Sequence, residues 1–531
     1  MSITLNKISY IHPDRELLFR NISFSVQKGQ KVALIGNNGS GKSTLLQIMA
    51  GQLQTSSGEM VFSDSLYYVP QHFGQFRGMT VAEALRIDKK LKALHEILVG
   101  DASVENFTLL DEDWNIEERS LSALSFWDME HIRLEESMDR LSGGEKTRIF
   151  LSGISIHSPG IILMDEPTNH LDTSARKKLY NYFGTNNNAT VMVVSHDRTL
   201  LNLLDLTYEL NKDGIEVYGG NYEFYKTLKE EKLRALQAQV DEKEKELRKV
   251  RRTARETMER KQRADARGKQ KQIKEGVPRI MIGKIKEGAE LSAAKLKDVH
   301  SGKSEEISND LRSIRQKLPV NKELKLDFDN TDLHTGKILV TAKDVNFSYD
   351  GEQPLWIEAL NFQIKSGDRL AIKGANGSGK TTLLKLILGD LQPLKGSLVR
   401  ADFKSLYVDQ EYSLINNNLT VFEQIEQFNS QKLFEHELKT ILHRYLFTSN
   451  TWDKTCDKLS GGEKMKLVFC CLMVSNNMPD MFILDEPTNN LDIQSLDIVT
   501  STIKDYEGTV LVISHDEYFV KEIGVTYSIE L

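Results

Sequence analysis

Five short blocks occur twice in this chain in the same order, and that repeat constrains its fold more than any other feature. GNNGSGKST at Gly36–Thr44 returns as GANGSGKTT at Gly374–Thr382. YVPQ ending at Gln71 returns as YVDQ ending at Gln410, and LSGGEK from Leu141 returns from Leu459. MDEPTNHLD from Met164 returns as LDEPTNNLD from Leu484, and VVSHD ending at Asp197 returns as VISHD ending at Asp516. Two copies of one domain are therefore fused, at 1–221 and 337–531, with a different segment at 222–336 between them. From Gln71 to Gln410 the offset is 339, but from Leu141 to Leu459 it is 318, so the first copy holds 21 extra residues. They fall between Gln71 and Leu141, within 86–129, either as neutral lengthening of a surface loop or as a short insertion with a role of its own.

The blocks carry phosphate chemistry. In each copy an apolar segment (Lys31–Ile35; Arg369–Ile372) runs into G-x-x-x-x-G-K-[ST], which opens an amphipathic helical stretch. Main-chain N–H groups in such a loop curl round phosphate oxygens at a helix N-terminus. The loops are Gly36, Asn37, Asn38, Gly39, Ser40, Gly41, Lys42, Ser43 and Thr44, and Gly374, Ala375, Asn376, Gly377, Ser378, Gly379, Lys380, Thr381 and Thr382. Lys42 and Lys380 supply charge to the terminal phosphates, and Ser43 and Thr381 offer hydroxyls to Mg²⁺. GIILMDE and MFILDE read as buried parallel strands ending in two acids. The first acid, Asp165 or Asp485, suits the Mg²⁺ shell; the second, Glu166 or Glu486, suits orientation or deprotonation of an attacking water. A second apolar strand in each copy ends at His196 or His515, read as sensors of the γ-phosphate.

The middle segment is helical in pattern and dense in charge. Leu236, Val240, Leu247, Val250 and Ala254 follow 3/4 spacing, and Ile307, Leu311, Ile314 and Leu318 resume it. Between them GVPRIMIGK from Gly276 reads as a hairpin tip, apolar over Val277–Ile285, so two helices should fold back as an antiparallel pair. An arm of about 40 residues would reach roughly 60 Å. From Arg248 to Lys286 there are 15 Lys plus Arg against 4 Asp plus Glu, a net +11 within a chain of net −7, so the remainder carries −18. Such a concentration is a polyphosphate footprint; a solvated helix face is the bland alternative.

Composition sets the outer limits. With 40% hydrophobic and 27% charged residues the chain can bury sizeable cores. No window reads as a membrane helix, and the start MSITLNKISY lacks a secretory pattern, so a cytoplasmic, non-spanning protein is expected. Cys456, Cys470 and Cys471 read as reduced core thiols.

Together these residues resemble the ATP-binding-cassette superfamily. Gln71 and Gln410 match its Q-loop, adding to the Mg²⁺ ligands beside Ser43 and Asp165 or Thr381 and Asp485. LSGGEK matches its signature, Leu171-Asp172 and Leu491-Asp492 its D-loop, and the histidines its H-loop. Tyr10 and Tyr349 fit the aromatic that stacks on adenine, with a core tyrosine as the alternative. Both signatures carry Glu145 and Glu463 where many transporters have Gln. The resemblance implies an α/β fold with two P-loop cassettes joined by a long α-helical antiparallel coiled-coil linker. It also implies head-to-tail closure, with ATP held between opposite motifs. One site would combine Lys42 and Glu166 with Ser460, Gly461 and Gly462; the other Lys380 and Glu486 with Ser142, Gly143 and Gly144. A single chain supplies both, so a monomer closing its own cassettes and hydrolysing ATP at two competent sites is expected.

Tandem cassettes with a charged helical linker and no membrane span resemble the ABC-F proteins. That resemblance implies action on the ribosome (rRNA and tRNA), near the tRNA exit site in the ATP-closed state. The linker would reach toward peptidyl-tRNA, and hydrolysis would release the protein. Translation regulation and ribosomal protection against antibiotics are the two roles, and the long apolar tip tilts toward the second. An ATPase subunit of an ABC exporter has no use for the basic linker. In a DNA-maintenance coiled-coil ATPase the coil splits one cassette, whereas here both are complete.

Overall fold

The computed structural model describes residues 2–12, 17–185, 188–211, 214–274, 298–299, 301–315, 334, 336–375, 377–475, 478–489 and 491–531. Contacts divide the chain into a unit of Met1–Tyr225 with Glu323–Leu531, which holds both copies of the repeat, and a unit of Lys226–Lys322.

Each copy is a mixed α/β domain built on a parallel sheet. Lys31–Ile35, Ile161–Asp165 and Thr190–Val194 each hold a run of four apolar residues beside one polar end residue, and every residue in them is buried. Continuous rather than alternating hydrophobicity is what a strand covered on both faces requires. Successive side chains then serve opposite layers: Ile162 and Met164 join one core cluster, Ile161 and Leu163 the other. The second copy repeats this, with Phe482 and Leu484 on one face and Met481 and Ile483 on the other.

In the first copy the strand order is Leu66–Val69, Ile161–Asp165, Thr190–Val194, Lys31–Ile35, Leu206–Asn211, Gly214–Tyr218, the last antiparallel. In the second it is Ser405–Val408, Met481–Asp485, Thr509–Ile513, Arg369–Lys373, Tyr527–Glu530, all parallel. A three-stranded antiparallel sheet accompanies each: Ile3–Ile11 pairs with Leu17–Val26 and Ser57–Phe62, and Ile338–Asn346 with Leu360–Lys365 and Lys395–Arg400. This arrangement brings the phosphate loop and both strand-end motifs to the carboxyl edge of one sheet, where open α/β sheets bind ligands.

Between Gln71 and Leu141 the first copy carries the helices Val81–Ala84, Asp88–Val99, Val104–Leu110 and Ile116–Phe126. The corresponding stretch of the second has Val421–Gln427 and Glu435–Arg444. Leu91, Leu94, Leu110 and Leu124 join the first core, while Leu98, Trp114, Leu121 and Phe126 stay exposed. The three cysteines are free and buried, and burial raises the Cys471 thiol to about 12.

The first half of the second unit belongs to one 53-residue helix, Tyr222–Lys274. Leu236, Val240, Leu247, Val250 and Ala254 form its less exposed stripe. Val240 and, from the helix at 301–315, Ile307 and Leu311 are each 4% exposed. Lys243 meets Asp310 at 3.1 Å and Arg315 meets Glu244 at 2.5 Å across the pair. Arg248, Lys249, Arg251, Arg252 and Arg255 point outward. Glutamates answer some of them one turn away: Arg248–Glu244, Arg252–Glu256 and Arg255–Glu259 at 3.5, 3.8 and 3.1 Å. The tip, Val277–Ile285, lies outside the described residues, as do Leu318 and Asn376.

Candidate functional site

Each phosphate loop bends back on its own lysine. Lys42 Nζ donates to the carbonyls of Gly36 and Asn37 at 2.7 and 3.1 Å, and Lys380 Nζ to those of Gly374 and Ala375, both at 2.9 Å. Burial lowers the pKa of both ammonium groups, opposed by the nearby carboxylates. Gly41 and Gly379 precede the helices Lys42–Met49 and Lys380–Leu388 with φ of 93° and 92°. A Cβ at Gly41 would stand 2.8 Å from the Phe19 ring, so both backbone angle and space demand glycine there.

The strand-end acids face these loops. Ser43 Oγ donates to Asp165 Oδ1 at 3.1 Å, and Tyr68 OH to Asp165 Oδ2 at 3.4 Å. Tyr407 OH donates to Asp485 Oδ2 at 3.1 Å. A hydroxyl and a carboxylate held this close form the hard oxygen set that Mg²⁺ prefers. Gln410 lines the same cavity as Asp485, whereas Gln71 is half-buried beyond its strand. The tyrosines were not anticipated, although they stand in both copies of the YVPQ and YVDQ blocks.

Glu166 and Glu486 share a φ of 49°, which turns them out of the strand line. Each pairs with its histidine: Glu166 Oε1 to His196 Nε2 is 3.2 Å and Glu486 Oε1 to His515 Nε2 is 3.3 Å. Burial, aided by Asp165, raises Glu166 to about 8; burial raises Glu486 to about 7 against the pull of Arg176. Burial also lowers His515 to about 4 and His196 to about 3, so both rings are neutral near pH 7.

The copies complete each other. A cavity of about 580 Å³ is lined by Lys380, Thr381, Thr382, Gln410, Asp485, Glu486 and His515 from the second copy and by Ser142, Gly144, His170 and Arg176 from the first. Tyr349, 73% exposed, stands at its edge with its hydroxyl 2.8 Å from Thr382 Oγ1. Gly377, Gly379 and Tyr349 line the same space. Thr173 Oγ1 lies 2.9 Å from His515 Nδ1. At the other loop, Asn38 N–H donates to Asp492 Oδ2 at 3.2 Å. Away from the loops, Arg198, fully buried, reaches Asp497 and Glu522 of the second copy at 2.5 Å each.

Ser142 and Ser460 cap the signature helices. Ser142 Oγ accepts from Glu145 N–H at 3.3 Å while Glu145 Oε2 accepts from Ser142 N–H at 2.8 Å; Ser460 and Glu463 do the same at 3.3 and 2.8 Å. Glu at this position thus has a capping role, and its charge suits a helix N-terminus. A Cβ on Gly144 would meet the His170 carbonyl at 2.7 Å, so that glycine also admits the adjoining loop. Gly462 packs on Ser495 and Leu491, next to the Asp492 that touches Asn38.

Tyr10 departs from its expected role. It is 9% exposed, in the core cluster under the antiparallel sheet, with its ring against Phe19 and His12. The core placement, offered above as the alternative, is the one found. His12, just past the end of the strand, is exposed.

The family described as ABC transporter matches residues 19–169 and 357–489, more than half of the chain. The chain is 28% identical to ABC transporter F family member 2 of Arabidopsis thaliana, covering 95% of this chain and 73% of that protein. It is equally 28% identical to the ribosome protection protein VmlR of Bacillus subtilis (strain 168), over 98% of this chain and 85% of that one. In fold it resembles the archaeal ribosome recycling factor aABCE1, solved with the archaeal ribosomal stalk protein aP1. That likeness has a TM-score of 0.57 and 18% identity over 97% of this chain and 86% of the other. No helix among the described residues is long and apolar enough to cross a membrane.

Proposed function

The chain belongs to the ATP-binding-cassette family, in its ABC-F branch, and is an ATPase; from that premise we propose a ribosome-associated protein that turns over ATP at two sites between its cassettes. The observation that carries the two-site reading is the cavity where Lys380, Glu486 and His515 face Ser142 and Gly144 of the other copy. In this reading Glu486, and Glu166 in the first site, hold the attacking water, and His515 and His196 steady them through Nε2. Lys380 and Lys42 neutralise the terminal phosphates, while Ser142 and Ser460 cap helices whose free N–H groups meet the γ-phosphate. Ser43 with Asp165 and Gln71, and Thr381 with Asp485 and Gln410, would hold the Mg²⁺ that accompanies ATP, which would offset phosphate charge.

Support for the ribosome comes from the +11 segment from Arg248 to Lys286 and from the relative named a ribosome protection protein. The closed, ATP-bound chain docks near the tRNA exit site, its linker extends toward peptidyl-tRNA, and hydrolysis ends the stay. Its output is translation regulation or protection of the ribosome from antibiotics. The test is sedimentation of the full-length Glu166→Gln, Glu486→Gln variant with ribosomes. ATP should drive the variant into the ribosomal pellet while its ATP turnover drops at least about 100-fold. Pelleting that ignores ATP would refute the ribosomal reading, and parental turnover would refute the role of the glutamates.

A further inference from the structure

The two candidate sites share their motif residues, yet what each receives from the opposite cassette differs. Thr173 opens the helix Thr173–Thr185, just past the D-loop of the first copy, and its Oγ1 is 2.9 Å from His515 Nδ1 in the second copy. The same position of the repeat, 320 residues on, is Ile493, the first residue of Ile493–Asp505. Ile493 likewise crosses over, packing against the first copy's core, but it has no polar atom to offer. Correspondingly, His196 Nδ1 is buried without a hydrogen-bond partner among the described residues. The difference recurs one turn along: Arg176 lines the cavity around Glu486, whereas its counterpart Leu496 is buried in its own core.

The consequence lies in the histidine ring. Glu166 Oε1 and Glu486 Oε1 stand 3.2 and 3.3 Å from the Nε2 atoms without a hydrogen bond formed among the described residues; with the ring proton on Nε2, facing the glutamate, Nδ1 is left as an acceptor. At His515 the Thr173 hydroxyl lies 2.9 Å from that atom; donating to it would hold the tautomer that keeps Nε2–H on the side of Glu486. At His196 no described residue pins the ring from behind, and a buried acceptor without a donor favours other tautomers and rotamers. We propose that Thr173 is a positioning residue acting in trans on the second ATP site, and that the second site turns over faster than the first because Ile493 cannot pin His196. The role of Thr173 runs through His515.

The test uses the full-length chain with ATP. The Glu166→Gln chain reports the second site and the Glu486→Gln chain the first. The second site has the higher kcat, and Thr173→Val lowers that kcat about tenfold while KM stays within about twofold, the split expected when a transition-state contact is lost. Thr173→Ser, which keeps the hydroxyl, restores it. Ile493→Thr, placed in the Glu486→Gln chain, raises first-site kcat and so tests the idea by gain as well as loss. An unchanged ratio of the two rates after Thr173→Val, equal behaviour of Val and Ser, or no gain from Ile493→Thr overturns the inference. It rests on the site reading above, and the two fail differently. If the glutamate assignment is wrong, the double Gln chain is as fast as the parent; if only this inference is wrong, that chain is inactive and Thr173→Val changes nothing.

Discussion

The cassettes and the helix between them bury their side chains by different means. In Ile161–Asp165 all five residues are buried, because helices and a second sheet cover both faces of the strand. Along 226–261 of the long helix a stripe through Val240 is shielded, while Arg248, Lys249, Arg251 and Arg252 face outward. A cassette therefore draws its rigidity from a two-layer core and can hold Lys380, Asp485 and Glu486 in fixed geometry. A helix pair has no second layer, so its sequence is free to concentrate charge. Catalysis needs the first arrangement, and reach toward a polyanion needs only the second.

The sharpest test of this contrast removes the same side chain from both regions. Leu163→Ala, in a fully buried strand, should cost about 3 kcal/mol, because the surrounding sheet and helices cannot collapse into the void. Leu311→Ala, 4% exposed in the helix pair, should cost at most about 1 kcal/mol, since two helices can slide together to fill the space. Urea unfolding followed by far-UV circular dichroism reads both. Equal losses would mean that the linker has a core as stiff as that of the cassettes, and the contrast would fail.

The same contrast decides what could be read without coordinates. Phosphate chemistry needs particular atoms at fixed spacing, so Lys42, Asp165, Glu166 and His196 stood out by residue type, and the repeat doubled the signal. The linker was legible through its 3/4 spacing alone: Leu236, Val240 and Leu247 form the shielded stripe, and Ile307 and Leu311 face it. Two kinds of feature stayed hidden. Thr173 and Arg176 act on the other cassette, and no local pattern marks a contact made more than 300 residues away. Tyr10 was misleading because an aromatic at a given spacing says nothing about which way a strand faces, and its alternation turns Tyr10 into the core. The local glutamates that pair with Arg248, Arg252 and Arg255 also moderate the picture of an unanswered basic run.

Charge on the linker should matter for the partner and not for the cores. Replacing Arg248, Lys249, Arg251, Arg252 and Arg255 together by Gln should weaken ribosome binding about tenfold or more at low salt. The salt dependence should become shallower by up to about 0.7 log units per lost phosphate contact. Urea unfolding of the cassettes should not move, because these side chains are exposed and surface ion pairs contribute little. Binding measured across a salt series checks both halves. Unchanged affinity and slope would identify the basic face as ordinary solvated helix.

The finest distinction lies between the two cassettes themselves. Glu486 keeps its proton up to about pH 7 and Glu166 up to about pH 8, both through burial. Both glutamates feel like-charge repulsion from the preceding aspartate, Asp165 or Asp485, whereas the positive charge of Arg176 favours the carboxylate of Glu486 alone. A base must be ionised to act, so turnover at each site rises with pH through its own glutamate's value. The Glu166→Gln chain, reporting Glu486, should reach half its maximal kcat/KM near pH 7, and the Glu486→Gln chain about one unit higher. Neither profile should carry a histidine limb above pH 5, because His515 and His196 are held near 4 and 3. Adding Arg176→Leu to the Glu166→Gln chain removes the favourable charge and moves its profile toward the other. Coincident profiles before that change, or no movement after it, would show that Arg176 does not differentiate the two glutamates.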